Sequence, residues 1–147
     1  LNITDCGFIR IPDAFSVIQR HSRIITVVAG MVCRFTPRKV VIEKPFPAQR
    51  SSMAVIYACY GAAAAAAVAV YQAIGTEPTF IDHGKWRRKI LGEKENYPKG
   101  KYPKGEDAKL VTARKILEIY PQFIQTFNQD GKYDASDACG IWTADII

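Results

Sequence analysis

Hydrophobic and polar residues change period several times along the chain, and each change marks the edge of a predicted element. Residues 1–11 alternate, with Asn2, Thr4 and Asp5 set against Ile3, then Phe8, Ile9 and Ile11 around Arg10, and the run stops at Pro12. Period two predicts a strand there. From residue 13 the period lengthens: Ile18, His21, Ile25, Val28, Val32 and Phe35 step by three and four. That spacing predicts a helix capped by Asp13 and ended by Pro37, because proline disfavours helical geometry in the residue before it. Val40-Val41-Ile42 is then a β-branched run without alternation, as expected of a strand buried on both faces. It delivers Glu43 to its carboxyl end just before Pro45 and Pro47, which cannot donate to a ladder.

Residues 51–76 carry no charge and include the alanine run from Ala62 to Ala67. The length suits a membrane span, but the alanines, Cys59, Gly61, Gln72 and the tyrosines at 57, 60 and 71 would make insertion poor. A core helix is expected instead, its small side chains letting it lie close against a sheet or a second copy of itself, and Gly75 closing it. Pro78 leads into Thr79-Phe80-Ile81-Asp82, a predicted strand that completes a βαβ unit with the strand ending at Glu43 and is therefore parallel to it. Glu106-Asp107 opens a helix with Leu110, Ala113, Leu117 and Tyr120 on its apolar face, ended by Pro121. Residues 130–138 read as a turn that becomes a last helix carrying Ile141, Trp142 and Ile146. The expected class is α/β, with one sheet flanked by helices.

Composition narrows this. At 147 residues, with 48% hydrophobic and 23% charged, the chain fits one globular domain with a core. Lys and Arg total 20 against 14 acids, a formal charge of +6 that suits a polyanionic partner. Cys6, Cys33, Cys59 and Cys139 form no C-x-x-C pair and stand away from histidine, so neither a zinc site nor a dense disulfide framework is indicated and reduced core thiols are expected. His21 and His83 are isolated and read as structural. No signal-like apolar segment opens the chain.

Four places carry candidate chemistry. Glu43 stands at the carboxyl end of a strand, the rim where open α/β sheets bind ligands, although acids at strand ends are also ordinary surface residues. Lys85-Trp86-Arg87-Arg88-Lys89 sets four cations around one aromatic, either a phosphate-binding cluster or a solvated helix face with Trp86 turned inward. In residues 96–105 the tetrapeptide Tyr-Pro-Lys-Gly occurs twice, so Lys99, Lys101 and Lys104 alternate with tyrosines in a segment that cannot form helix or central strand. Such a loop suits phosphates and base stacking, or is simply basic. Asp134 and Asp137 are three apart, on one face of the first turn of the last helix, where acids also serve as plain caps.

Taken in order, these motifs resemble the RuvC family of Holliday junction resolvases within the RNase H-like nucleases. Val41-Ile42-Glu43-Lys44-Pro45-Phe46 is similar to the family's apolar strand ending in Glu with an aromatic three residues on. Arg50-Ser51-Ser52 before a small-residue helix is similar to its next element, and residues 85–92 to the basic stretch of phage and poxvirus members. Asp134-Ala135-Ser136-Asp137-Ala138 is similar to the D-x-x-D-A that opens the closing helix. The resemblance implies an RNase H-like fold with a central mixed sheet flanked by helices. It implies a magnesium-dependent endonuclease that resolves four-way junctions by paired symmetric incisions, working as a homodimer, without a membrane, in the cytoplasm of a bacterial or phage-infected cell. Glu43, Asp134 and Asp137 would be the catalytic carboxylates and the ligands of two magnesium ions, with manganese as a substitute. Lys44, Phe46, Arg50, Lys85, Trp86, Arg87, Arg88, Lys99, Lys101 and Lys104 would contact DNA, Phe46 by stacking. Hard cations prefer carboxylate oxygen, and two of them about 4 Å apart stabilise both the attacking and leaving oxygens of phosphodiester hydrolysis.

Family members open on a strand ending in Asp. Asp5-Cys6-Gly7 imitates it, but only one helix separates Asp5 from Glu43, so residues 6–10 match the family's third strand and the opening strand is expected upstream of Leu1. A non-catalytic protein binding branched DNA, and an RNase H-like nuclease acting on flaps or hybrids, are the competing expectations.

Overall fold

A helix pair and a short ladder make up the segment Arg10–Ile81, one of two compact units into which the chain divides; the other combines Leu1–Ile9 with Asp82–Ile147. The structure, a computed structural model, describes residues 3, 6–46, 52–92, 108–131 and 133–146.

In the first unit, α1 (Val17–Phe35) is capped by Ser16 rather than Asp13. Ser16 Oγ accepts from the Gln19 amide at 3.3 Å and Gln19 Oε1 accepts from the Ser16 amide at 2.8 Å, a reciprocal capping box. Asp13 lies a turn earlier, where its carbonyl accepts from Arg20 Nη2 at 2.7 Å. The helix ends at Thr36, left-handed with φ 43°, ahead of the proline that forbids another helical residue. After β1 (Val41–Glu43), α2 (Met53–Ile74) begins at Ser52, whose Oγ accepts from the Val55 amide at 3.4 Å, and ends at left-handed Gly75. Then β2 (Thr79–Ile81) pairs with β1 in parallel, Ile42 opposite Phe80, with Thr79 N donating to Val40 O and Lys44 N to Ile81 O. The βαβ unit is therefore present as its spacing predicts.

α2 packs along α1, and at Gly61 the fit is tight enough that a Cβ would come within 2.6 Å of the His21 ring. It is not a core helix: Ala65, Ala69 and Val70 are buried, while Met53, Val55, Tyr57, Tyr60, Val68 and Tyr71 are exposed. Geometry explains this. A helix of 22 residues is about 33 Å long and a three-residue strand about 10 Å, so the ladder cannot cover it. By length and composition α2 is apolar enough to cross a membrane.

In the second unit, α3 (His83–Leu91), α4 (Ala108–Ile119), a 3-10 turn (Pro121–Phe123) and α5 (Ile124–Asp130) lead to α6 (Asp134–Ile146). Helices α3, α4 and α5 each pack on α6. Trp86, Ile90, Val111, Ile116, Tyr120, Phe127, Cys139, Ile141 and Ala144 form the core. Trp86 lies so close over α6 that a Cβ on Gly140 would sit 2.5 Å from its Cζ3. Thr143 Oγ1 donates to the Cys139 carbonyl at 2.8 Å and accepts from Tyr120 Oη at 2.8 Å, so both buried hydroxyls are satisfied.

The α/β expectation of a central mixed sheet flanked by helices is overturned. Among the described residues the molecule is mostly helical, with two parallel strands of three residues each. Residues 6–11 are irregular rather than a strand, and β1 is half-buried rather than covered on both faces. Alternation records which face each side chain prefers, not that a partner edge exists. Here Gly7 weakens the run from within, and Cys6 instead lays its thiol against the Ala135 carbonyl and Cys139 of α6.

Candidate functional site

The start of α6 is fixed by hydrogen bonds around an acid-rich turn. Gly131 and Tyr133 are both left-handed, with φ 65° and 66°, which turns the chain into the helix. Asp130 Oδ2 accepts from the Ala135 amide at 2.9 Å, and Ser136 Oγ donates to the Tyr133 carbonyl at 2.8 Å. Asp134 and Asp137 follow in the first turn, where free amides and the helix dipole favour negative charge. Their surroundings differ sharply: the Asp134 side chain is 66% exposed and that of Asp137 9%.

Two cations from other helices converge on this pair. Arg87 Nη2 of α3 donates to Asp137 Oδ2 at 3.0 Å, with its own side chain 17% exposed. Lys109 Nζ of α4 sits 3.7 Å from Asp134 Oδ1 and 3.8 Å from Asp137 Oδ2, spanning both carboxylates. Arg87 is placed by its neighbour: Trp86 is fully buried, and the Arg87 guanidinium lies 5.0 Å from its ring centroid. The remaining cations of α3 divide by helical face. Lys89 Nζ donates to the Ala144 carbonyl at 2.9 Å in the last turn of α6, where a positive charge is favoured. Lys85 and Arg88 face solvent, Lys85 within 3.5 Å of Asp82 and Arg88 Nε donating to the Gly84 carbonyl at 2.9 Å.

Of the residues singled out from sequence, Asp134, Asp137 and Arg87 are brought together, and Lys85 and Arg88 share the same helix. Trp86 is core in this structure, with no ring face open to solvent. Glu43 is half-buried at the end of β1, in the other unit, opposite Ile81; Lys44 follows it and Phe46 is 71% exposed. Arg50, Lys99, Lys101 and Lys104, with both copies of Tyr-Pro-Lys-Gly, lie outside the described residues. Lys109 was not legible: one lysine early in a helix has no spacing signal, and its role arises only from how α4 meets α6.

Among the described residues no group of three or more His, Cys, Asp or Glu is gathered for a metal ion. Magnesium, however, is commonly held by one or two carboxylates together with substrate phosphates and water. The Asp134 and Asp137 oxygens fit that donor set in kind, with Asp134 open to solvent and Asp137 held in place by Arg87. Family models, curated proteins and solved structures yield no match to this chain.

Proposed function

We propose that the chain is a metal-dependent endonuclease acting on branched DNA, in the manner of the junction resolvases its motifs resemble. The observation that carries the reading is the meeting of two sequence-distant motifs, the Asp134/Asp137 pair and the cationic helix α3, through the 3.0 Å contact of Arg87 with Asp137. The reading rests on these residues and the motif resemblance, not on an RNase H-like fold. Asp134 and Asp137, both in the same compact unit, would hold the ion. Magnesium, when bound, stabilises the charge that builds on the scissile phosphate and supplies a coordinated water as nucleophile. Arg87 and Lys109 hold the two carboxylates in place and limit their mutual repulsion while DNA is absent. Lys85 and Arg88, facing solvent, offer phosphate contacts that position the duplex without reading its sequence. Paired incisions need two such sites, and the exposed apolar residues of α2 are the proposed surface for a second copy.

One observation favours a second reading, a branched-DNA-binding protein without catalysis: Asp137 is already in an ion pair with Arg87, and a structural pair needs no metal. A single experiment separates the two. A synthetic four-way junction and a linear duplex of the same sequence are incubated with the protein, with magnesium and with chelator. The nuclease reading expects metal-dependent cuts in the junction, reduced by orders of magnitude in Asp134→Asn while junction affinity stays level or tightens. Junction binding with no cutting in magnesium or manganese overturns the nuclease reading and leaves the binding protein. No preference for the junction over linear duplex removes both.

A further inference from the structure

We propose that Cys6 and Cys139 are an oxidation site, closed into an intramolecular disulfide by a hydroperoxide. Their Sγ atoms are 3.2 Å apart although 133 residues separate them in sequence. Both lie in the unit formed by Leu1–Ile9 and Asp82–Ile147. A disulfide needs about 2.05 Å, so the sulfurs must approach by roughly 1 Å, within reach of side-chain rotation and a small shift of an irregular segment.

The two thiols are unequal, and the inequality sets the order of events. Cys139 is 3% exposed on α6, and its S–H donates to the Cys6 sulfur. The hydrogen bond to Cys6, burial, and the nearby Cys6 charge all push the Cys139 thiol well above its ordinary range, so it stays protonated. Cys6 is half-buried, with its S–H donating to the Ala135 carbonyl at 3.6 Å while its sulfur accepts from Cys139, and it is the more accessible of the two thiols. Cys6 is therefore the sulfur that meets the oxidant. Its thiolate attacks one peroxide oxygen; the O–O bond breaks, Cys6 becomes a sulfenic acid, and the departing hydroxide takes a proton to become water. Cys139 Sγ then attacks the Cys6 sulfur, the S–S bond forms as the S–O bond breaks, and the hydroxyl leaves as water with the Cys139 proton. Two thiols and one hydrogen peroxide give one disulfide and two waters. Cys33 and Cys59, both exposed on α1 and α2 in the other unit, are the internal comparison: they are the more accessible thiols of the chain.

The test uses the full chain with native cysteines. Protein is treated with a few equivalents of hydrogen peroxide, blocked with N-ethylmaleimide, digested without reduction and analysed by mass spectrometry. The expected product is a peptide pair linking Cys6 to Cys139, with the loss of two alkylatable thiols out of four, both restored by dithiothreitol. In Cys139→Ser the link should vanish and Cys6 should be trapped by dimedone as the sulfenic acid. In Cys6→Ser, Cys139 should stay unmodified at the same peroxide dose. Recovery of Cys6 and Cys139 as separately alkylated thiols, or their appearance in links to Cys33, Cys59 or a second chain, overturns the proposal.

Discussion

Removing Arg87 from Asp137 tests whether that contact organises the candidate site or merely decorates it. The side chains are 17% and 9% exposed and meet at 3.0 Å, so solvent screens them little. Deleting one partner of a buried pair costs about 3–5 kcal/mol, most of it the desolvation of the charge left behind. Lys109 stands 3.8 Å from the same Oδ2 and is 41% exposed, so it offsets about 0–1 kcal/mol. Arg87→Met keeps length and apolar contact with Trp86, and should therefore destabilise by roughly 2–4 kcal/mol. The double variant Arg87→Met with Asp137→Leu buries no unpaired charge and should return to within about 1 kcal/mol of the parent. Urea unfolding followed by circular dichroism measures all four corners of the cycle. If each single variant costs at least about 2 kcal/mol and the double about 1, a coupling energy of at least about 3 kcal/mol is expected; additivity within about 0.5 kcal/mol would show that the two residues do not interact and would refute the site as described.

Three further outcomes follow from other contacts. Gly140→Val should cost about 1–3 kcal/mol despite the better helix propensity, since the Cβ position is 2.5 Å from a Trp86 ring that has nowhere to go; a melting temperature equal to the parent would contradict that packing. Because the folded state raises the Cys139 thiol, its contribution is complete below the unfolded thiol range and is lost as pH climbs above about 8.5, so Cys139→Ala should flatten the alkaline arm of a stability profile measured under reducing conditions. Replacing Lys85 and Arg88 together with Ala should lower the salt dependence of junction binding by about two counterions, measured by anisotropy across a salt series; an unchanged slope removes that face of α3 from the interface.

Local grammar was legible in the chain and global architecture was not. Pro37 stops α1 at Thr36, Gly75 ends α2, and the β1-α2-β2 spacing yields a parallel pair, because each depends on a few adjacent residues whose backbone limits are absolute. The helix start moved from Asp13 to Ser16, since either can cap and only Ser16 has Gln19 three residues on to complete the box. The sheet failed for another reason: strand pairing is a property of two segments, and the alternation of residues 1–11 names no partner. In the site, the spacing of Asp134 and Asp137 put both on one face, but nothing local foretold that Asp137 would be buried and Asp134 exposed. That difference comes from α3, whose Arg87 covers one carboxylate and leaves the other to solvent.

The unit that carries Asp137 is split in sequence, its first nine residues parted from the rest by the whole of Arg10–Ile81. On a ribosome making about 5–20 residues per second, the 133-residue gap means that Cys6 waits roughly 7–27 s for Cys139 to be made. Arg10–Ile81 is complete well before then and has its own helix pair and ladder to form, so it is expected to fold while the opening segment is still without its docking helix. Unit completion is then governed by the last helix to emerge, and a nascent chain stalled short of α6 would hold Cys6 open to alkylation while Arg10–Ile81 is already closed.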